Sequence, residues 1–267
     1  MVPTLLASPR ITTDSEDLLR AAHQSGQPAL RLQSYRPSDD LAGKRIAVYG
    51  EPLFAIVMAT NLNHVLIEAP YDWLATLPRQ WTRRAIRHTN IGEARALREP
   101  AFVKNADGLK GFEAQVYASG EELPGLDYYP DDYAVLVTEP VDWEVEYRCF
   151  VAERKVETAS IYLRHGELAK SPDGTWPDEP QQTAAALDFC KQFLQSGTPV
   201  PPACVIDVGR ITGRGWAVIE ANPAYGAGIY GCDPLAVLSV VNRACIPAEA
   251  VDSEIEGWIM QYDVDME

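Results

Sequence analysis

In the stretch VIEANPAYGAGIYG (residues 218–231) an apolar run ends on a carboxylate, Glu220, and a carboxamide, Asn222, two positions apart. Side chains alternate along a strand, so these two share a face. A second apolar run, ACVIDVGRI (203–211), carries Asp207 and is joined to WAVIEAN (216–222) through TGRG. A tight turn on Gly213-Arg214 pairs Thr212 with Gly215 and Ile211 with Trp216; the same count sets Asp207 opposite Glu220, with Asn222 diagonal to it. Two facing carboxylates repel unless something positive lies between them. A hard divalent ion fits, because it takes carboxylate and carbonyl oxygens and keeps positions for phosphate. The plain alternative is a solvated sheet face on which acids happen to align. The apolar flanks CVI and AVI oppose it, since an unpaired buried carboxylate is costly. A glycosidase also uses paired carboxylates but needs neither Asn222 nor the basic residues upstream.

Those basic residues come earlier in the chain. Lys104 ends the apolar run AFV, so its ammonium projects from a strand end into a cleft, or snorkels at the surface. Lys110, in NADGLKGF, sits on a glycine-flanked turn able to close over a ligand. In EVEYRCF, Glu146 and Arg148 share one strand face, with Val145 and Tyr147 on the other. They pair with each other or across strands, or they serve a ligand, the acid on ribose hydroxyls and the arginine fork on phosphate. His23, His64, His88 and His165 lack an evident partner and read as surface or structural residues. G-x-x-x-x-G-K-[ST] and G-x-G-x-x-G are both absent.

The elements that must position these groups fall into two patterns. Up to about residue 95, SEDLLRAAHQSG and LPRQWTRRAIRH read as helices and KRIAVYGEP and HVLIEAP as short strands, a small α/β unit with a partly parallel sheet. From residue 99 strands dominate: PAFVKN, GFEAQVYAS, YAVLVTEP, the hairpin EVEYRCFVA/ETASIYLRHG, and the carboxylate hairpin. QQTAAALDFCKQFLQSG and DPLAVLSVVNRACI are helices, the second capped by Asp233 with Pro234 behind it.

The chain has 267 residues, 46% of them hydrophobic, enough for a sizeable core. Its net charge of −15 disfavours nucleic acid and anionic membranes as partners. Five scattered cysteines without a C-x-x-C pair indicate neither a zinc knuckle nor a disulfide framework. No segment reaches the roughly 20 apolar residues of a membrane span, and the N-terminus lacks a signal-peptide pattern. The expectation is a cytoplasmic protein.

The ordered set PAFVKNADGLKGF (100–112), VLVTEPVDWEVEYRCFV (135–151) and VIDVGRITGRGWAVIEANPAYGAGIYG (205–231) resembles the ATP-grasp superfamily, and its short bacterial members more than the long carboxylases or D-alanine ligases. The resemblance covers about residues 99–245. It implies an α+β protein with an ATP-grasp fold, two α+β subdomains gripping ATP over residues 96–267, preceded by a small α/β pre-grasp domain over 1–95. Carried over by position, it implies Lys104 on the phosphates and Glu139, Pro140 and Val141 as the adenine hinge. Glu146 matches the ribose acid, and Asp207, Glu220 and Asn222 match the ligands of Mg2+ or Mn2+. Lys110 and Arg148 would be catalytic phosphate or acylphosphate contacts, under a glycine-rich lid loop shorter than in other members. The implied activity is ADP-forming carboxylate–amine (or thiol) ligation through an acylphosphate. A phosphotransferase acting on a hydroxyl and a non-catalytic ATP-binding module are the alternatives. Implied partners are a small-molecule, peptide or protein-terminus carboxylate and an amine acceptor.

Overall fold

The chain opens with alternating strands and helices: β1 (Thr4–Ala7), α1 (Thr13–Gln24), β2 (Ala29–Arg31), β3 (Ile46–Tyr49) and α2 (Pro52–Asn61). This computed structural model describes residues 2–107, 111–177 and 179–260. The first three strands form the expected parallel sheet, ordered β2-β1-β3. Thr12 and Ser15 start α1 with a reciprocal capping box, each side chain accepting from the other's N–H. The sequence reading has no helix at α2. Its residues PLFAIVMATN are apolar almost all round, so no amphipathic period marks it, and it is correspondingly buried at Phe54, Ala55, Met58 and Ala59.

Next come β4 (His64–Leu66), α3 (Trp73–Thr76), α4 (Arg79–Thr82), β5 (Ile86–Asn90) and α5 (Ile91–Ala94). The helix expected over LPRQWTRRAIRH is corrected here: α4 is a single turn, stopped by Arg83 in the left-handed region (φ 49°). The remainder becomes β5, an edge strand whose hydrogen bonds go to the next sheet. That sheet contains β6 (Ala101–Asn105), β7 (Gln115–Tyr117) and β8 (Ala134–Thr138), antiparallel in the order β5-β8-β6-β7. The boundary expected at residue 95 thus falls after two elements that pack on β8.

A five-stranded antiparallel sheet follows: β9 (Trp143–Ala152), β10 (Lys155–Arg164), β11 (Glu167–Leu168), β12 (Ala203–Ile211) and β13 (Gly215–Asn222), ordered β11-β10-β9-β12-β13. The helix α6 (Pro180–Gln195) covers one face, packing Phe193 and Cys190 on Tyr147, Cys149 and Ile206. The other face shares a core with the N-terminal unit, where Phe150 and Val205 meet Leu5, Val48 and Phe54. The helix α7 (Pro234–Val241) packs into the same core, and β14 (Cys245–Pro247) returns to pair with β4. The architecture is α+β. All five cysteines are free and buried, as small apolar residues would be. Among the described residues no helix is long and apolar enough to cross a membrane.

The β12/β13 hairpin differs from expectation at its turn. Ile211 pairs with Gly215, so the loop is the three residues Thr212–Arg214, with Gly213 (φ 72°) and Gly215 (φ 85°) left-handed. This slips the register by one as far as Val208↔Val218; a bulge at Ile219 then restores Asp207↔Glu220, the expected pair. Opposite the bulge region, β12 carries Gly209. A Cβ there would stand 2.7 Å from the Trp143 ring, 2.8 Å from Ile219 and 2.9 Å from the Val145 carbonyl. Gly209→Ala is therefore expected to cost about 1–3 kcal/mol by overpacking, read from the urea midpoint. An unchanged midpoint would contradict this packing.

Candidate functional site

Where the four- and five-stranded sheets meet, β9 supplies Glu146 and Arg148, β12 Asp207, β13 Glu220 and Asn222, and β6 Lys104. The register sets Arg148 beside Asp207 on adjacent central strands. The guanidinium donates from Nε to Asp207 Oδ1 at 3.0 Å and from a terminal nitrogen to Oδ2 at 2.7 Å, a two-pronged pair with the acid fully buried. Its other terminal nitrogen donates to the Gly228 carbonyl at 3.1 Å, and its carbon lies 5.2 and 4.9 Å from the ring centres of Tyr162 and Tyr230. Burial pushes the Asp207 carboxyl upward; the Arg148 charge opposes it and keeps the pair ionic.

Glu220 receives the Lys104 ammonium as an ion pair. Burial alone would raise its carboxyl; the lysine charge leads the opposing effects, which together hold it at about 2. The Asn222 amide donates to Asp207 Oδ2 at 3.0 Å and to Glu220 Oε1 at 2.9 Å, tying the two acids together. Glu146 is buried beside them and accepts from a phenol, Tyr162 Oη, at 2.7 Å. Burial pushes it up to about 7, the phenol opposing and the Asp207 and Glu220 charges reinforcing.

Six expected residues therefore converge: Lys104, Glu146, Arg148, Asp207, Glu220 and Asn222. Lys104, Arg148, Glu220 and Asn222 line a cavity of about 1090 Å³, together with Leu136, the loop 223–228, α2 at Pro52 and Ile56, and Glu68. Asp207 and Glu146 stand behind that lining. The segment Glu139–Val141 lies at the junction of the two sheets. The Glu139 carboxylate is bonded by Arg214, Arg79 and the Ala85 N–H and held down to about 2, the Arg214 hydrogen bond contributing most. Lys110 lies outside the described residues.

Sequence reasoning missed Arg84. It is buried, donates to the carbonyls of Thr82, Val218 and Ile219 at 3.1, 2.7 and 2.8 Å, and stacks 5.0 Å over Trp143. Burial lowers its guanidinium to about 10, and the Glu220, Glu146 and Glu139 charges oppose the drop. Backbone acceptors carry no sequence signal, so a second basic residue in TRRAIRH read as helix-end charge. His64 is structural as expected: it is buried, with one ring nitrogen on Leu62 O and the other accepting from Ile46 N–H.

The oxygen set suits a hard cation. Glu220 and Asn222 present oxygen-bearing side chains on the cavity wall, and Asp207 is one shared amide away. Among the described residues no three His, Cys, Asp or Glu side chains form a metal group. Two carboxylates and a carboxamide fit an ion that completes its shell with phosphate oxygens and water.

Residues 81–240 match a family described as an ATP-grasp domain, the second family of its clade. Among solved structures, the chain is similar to a RimK-domain ATP-grasp protein from Sphaerobacter thermophilus DSM 20745, at 17% identity and TM-score 0.51 over 90% of this chain and 98% of that one. It is also similar to N5-carboxyaminoimidazole synthetase from Staphylococcus aureus, at 12% identity and TM-score 0.55 over 92% of this chain and 78% of that one. At these identities the likeness fixes the fold. A sequence search of curated proteins found no match.

Two outcomes follow from the charges. Arg148→Ala strands Asp207 without its cation and should cost about 3–5 kcal/mol in denaturant unfolding; a loss below about 1 kcal/mol would contradict a buried pair. Glu146, raised to about 7, keeps a proton in the folded state that the unfolded chain has lost above its ordinary value. Stability should therefore fall as pH rises from about 4.5 to 7, with a Glu146 contribution of about 2–3 kcal/mol. Urea titrations between pH 5 and 8 should show this slope in the wild type and a flatter one in Glu146→Gln.

Proposed function

We propose, from the premise that this chain belongs to the ATP-grasp domain family matched by residues 81–240, that it is an ADP-forming ligase. It activates a substrate carboxylate as an acylphosphate for attack by an amine. The observation that carries the reading is the joined set Lys104–Glu220–Asn222 on the wall of a cavity of about 1090 Å³, backed by the Arg148–Asp207 pair. Phosphoryl transfer asks the protein mainly for positioned charge, and this wall supplies both signs.

In this reading Lys104 exchanges Glu220 for a phosphate oxygen when ATP enters. Glu220 and Asn222, with Asp207 behind them, would hold Mg2+ (or Mn2+), which supplies charge neutralisation across the phosphates. Arg148, its fork fixed by Asp207, keeps a terminal nitrogen turned to the loop at Gly228 and receives the acylphosphate oxygens from there. Lys110 adds a second phosphate contact. Glu146 takes the ribose hydroxyls and Glu139, Pro140 and Val141 the adenine edge. The N-terminal unit, expected over residues 1–95, serves as the pre-grasp partner of 96–267, and both substrates reach the enzyme in the cytoplasm.

Hydroxylamine trapping tests the reaction class. With ATP, Mg2+ and a panel of amino acids and peptides, a ligase yields a hydroxamate and ADP from its carboxylate substrate. A phosphotransferase yields a phosphorylated hydroxyl and no hydroxamate, which would overturn the ligase reading. Glu220→Ala should reduce ADP release to background while its unfolding transition stays cooperative; persistent turnover would refute the assignment of Glu220.

A further inference from the structure

Beyond Asn222 the chain turns through Pro223–Gly226, closed by the Gly226 N–H on the Pro223 carbonyl at 3.2 Å. The third residue beyond Asn222, Tyr225, donates its phenol to Glu68 Oε2 at 2.8 Å, and both side chains line the large cavity. Glu68 sits on the segment between β4 and α3, anchored by its own N–H on the Trp258 carbonyl at 2.8 Å. Among the described residues no lysine or arginine pairs with it. Asp207 and Glu220 are each matched to a cation, whereas the hydrogen-bonding partner of Glu68 is a neutral phenol. A carboxylate has about four acceptor positions, so one phenol leaves most of them open to the cavity.

Burial pushes the Glu68 carboxyl up to about 7, Tyr225 opposing and the Asp107 charge adding. The titratable groups facing it are Tyr225 from the loop after β13, Asp107 from the segment after β6, and Tyr71 from its own segment. Lys104, Arg148, Glu113 and Glu220 lie elsewhere on the same wall. A negative wall there repels a carboxylate and attracts an ammonium ion, in keeping with the −15 charge of the whole chain. An alkylammonium, with a pKa of about 10, must lose a proton before its nitrogen can attack, and a base that titrates near neutrality suits that transfer.

We propose that Glu68, held by Tyr225, receives the ammonium group of the acceptor substrate and takes its proton, so that the acceptor is a small organic amine. This rests on the ligase reading above. In the step, R–NH3+ gives one proton to the Glu68 carboxylate. The freed nitrogen pair forms the C–N bond to the acyl carbon, and the C–O bond to phosphate breaks with its electron pair on the leaving oxygen. The second nitrogen proton leaves with that phosphate, giving the amide, HPO4 2− and a protonated Glu68.

The test uses ethylammonium and propionate as probes of similar size and opposite charge, titrated into the full chain and followed by NMR shifts at Tyr225 and Tyr71. At pH 8 ethylammonium should bind saturably and more tightly than propionate. Glu68→Gln, which keeps the shape and an oxygen for the Tyr225 phenol, should weaken ethylammonium at least about tenfold. In the wild type the same affinity should fall about tenfold from pH 8 to pH 6 as Glu68 gains its proton. Equal affinity in the two proteins, no pH dependence, preference for propionate, or no saturable binding would overturn the proposal. Hydroxamate formation by the wild type reads the ligase separately. A hydroxamate without an ammonium site sinks only the role of Glu68, and an ammonium site without hydroxamate sinks the ligase.

Discussion

A single buried ion pair organises the site. Arg148 and Asp207 sit side by side on the two central strands of the five-stranded sheet, where Asp207 has no exposure to solvent. Neither charge could be placed there alone, because the desolvation of an unpaired ion exceeds what any neighbouring contact returns. The two-pronged geometry makes the pair tolerable, and it also fixes where everything else goes. Tyr162 and Tyr230 stack around the guanidinium, Tyr162 bonds Glu146, and Asn222 shares its amide between Asp207 and Glu220.

The remaining charges divide by what they face. Glu220 meets Lys104 at the cavity wall, a pair that a phosphate and a divalent cation would each find half-made. Glu146 and Glu68 face phenols instead of cations and are raised toward neutrality by burial, Glu146 among the acids and Glu68 across the loop from them. The wall thus holds a cationic element for phosphate, an oxygen set for a metal and an uncompensated acid for an amine, joined by the short loop 223–228. Within that loop Tyr225 bonds Glu68 and Gly228 bonds Arg148, so one turn of backbone links the two halves.

Much of this was legible because strand periodicity is unforgiving. Asp207, Glu220, Asn222, Glu146 and Arg148 fall on predictable faces of apolar strands, and the ordered motifs point to the family that residues 81–240 match. The hairpin shows the limit of counting. The turn was one residue longer than Gly213-Arg214 suggests, and only the bulge at Ile219 returned the expected Asp207–Glu220 pair. The sequence also led to expecting an ion between the acids, and did not reveal that Arg148 and Lys104 are their partners across strands and sheets. Arg84 and Glu68 were invisible for a related reason: carbonyls far along the chain surround the first, and a phenol 157 residues away holds the second. Where LPRQWTRRAIRH looked helical, the open edge of β8 claimed its second half as β5.

The central claim is that the wall bearing Lys104, Glu220 and Asn222 takes ATP through a divalent ion. The most direct measurement is calorimetric titration of ATP into the intact protein with excess Mg2+ and again with EDTA. The account predicts saturable 1:1 binding with Mg2+ that weakens at least about tenfold in EDTA. Equal affinity under the two conditions, or no binding with Mg2+ present, would contradict it.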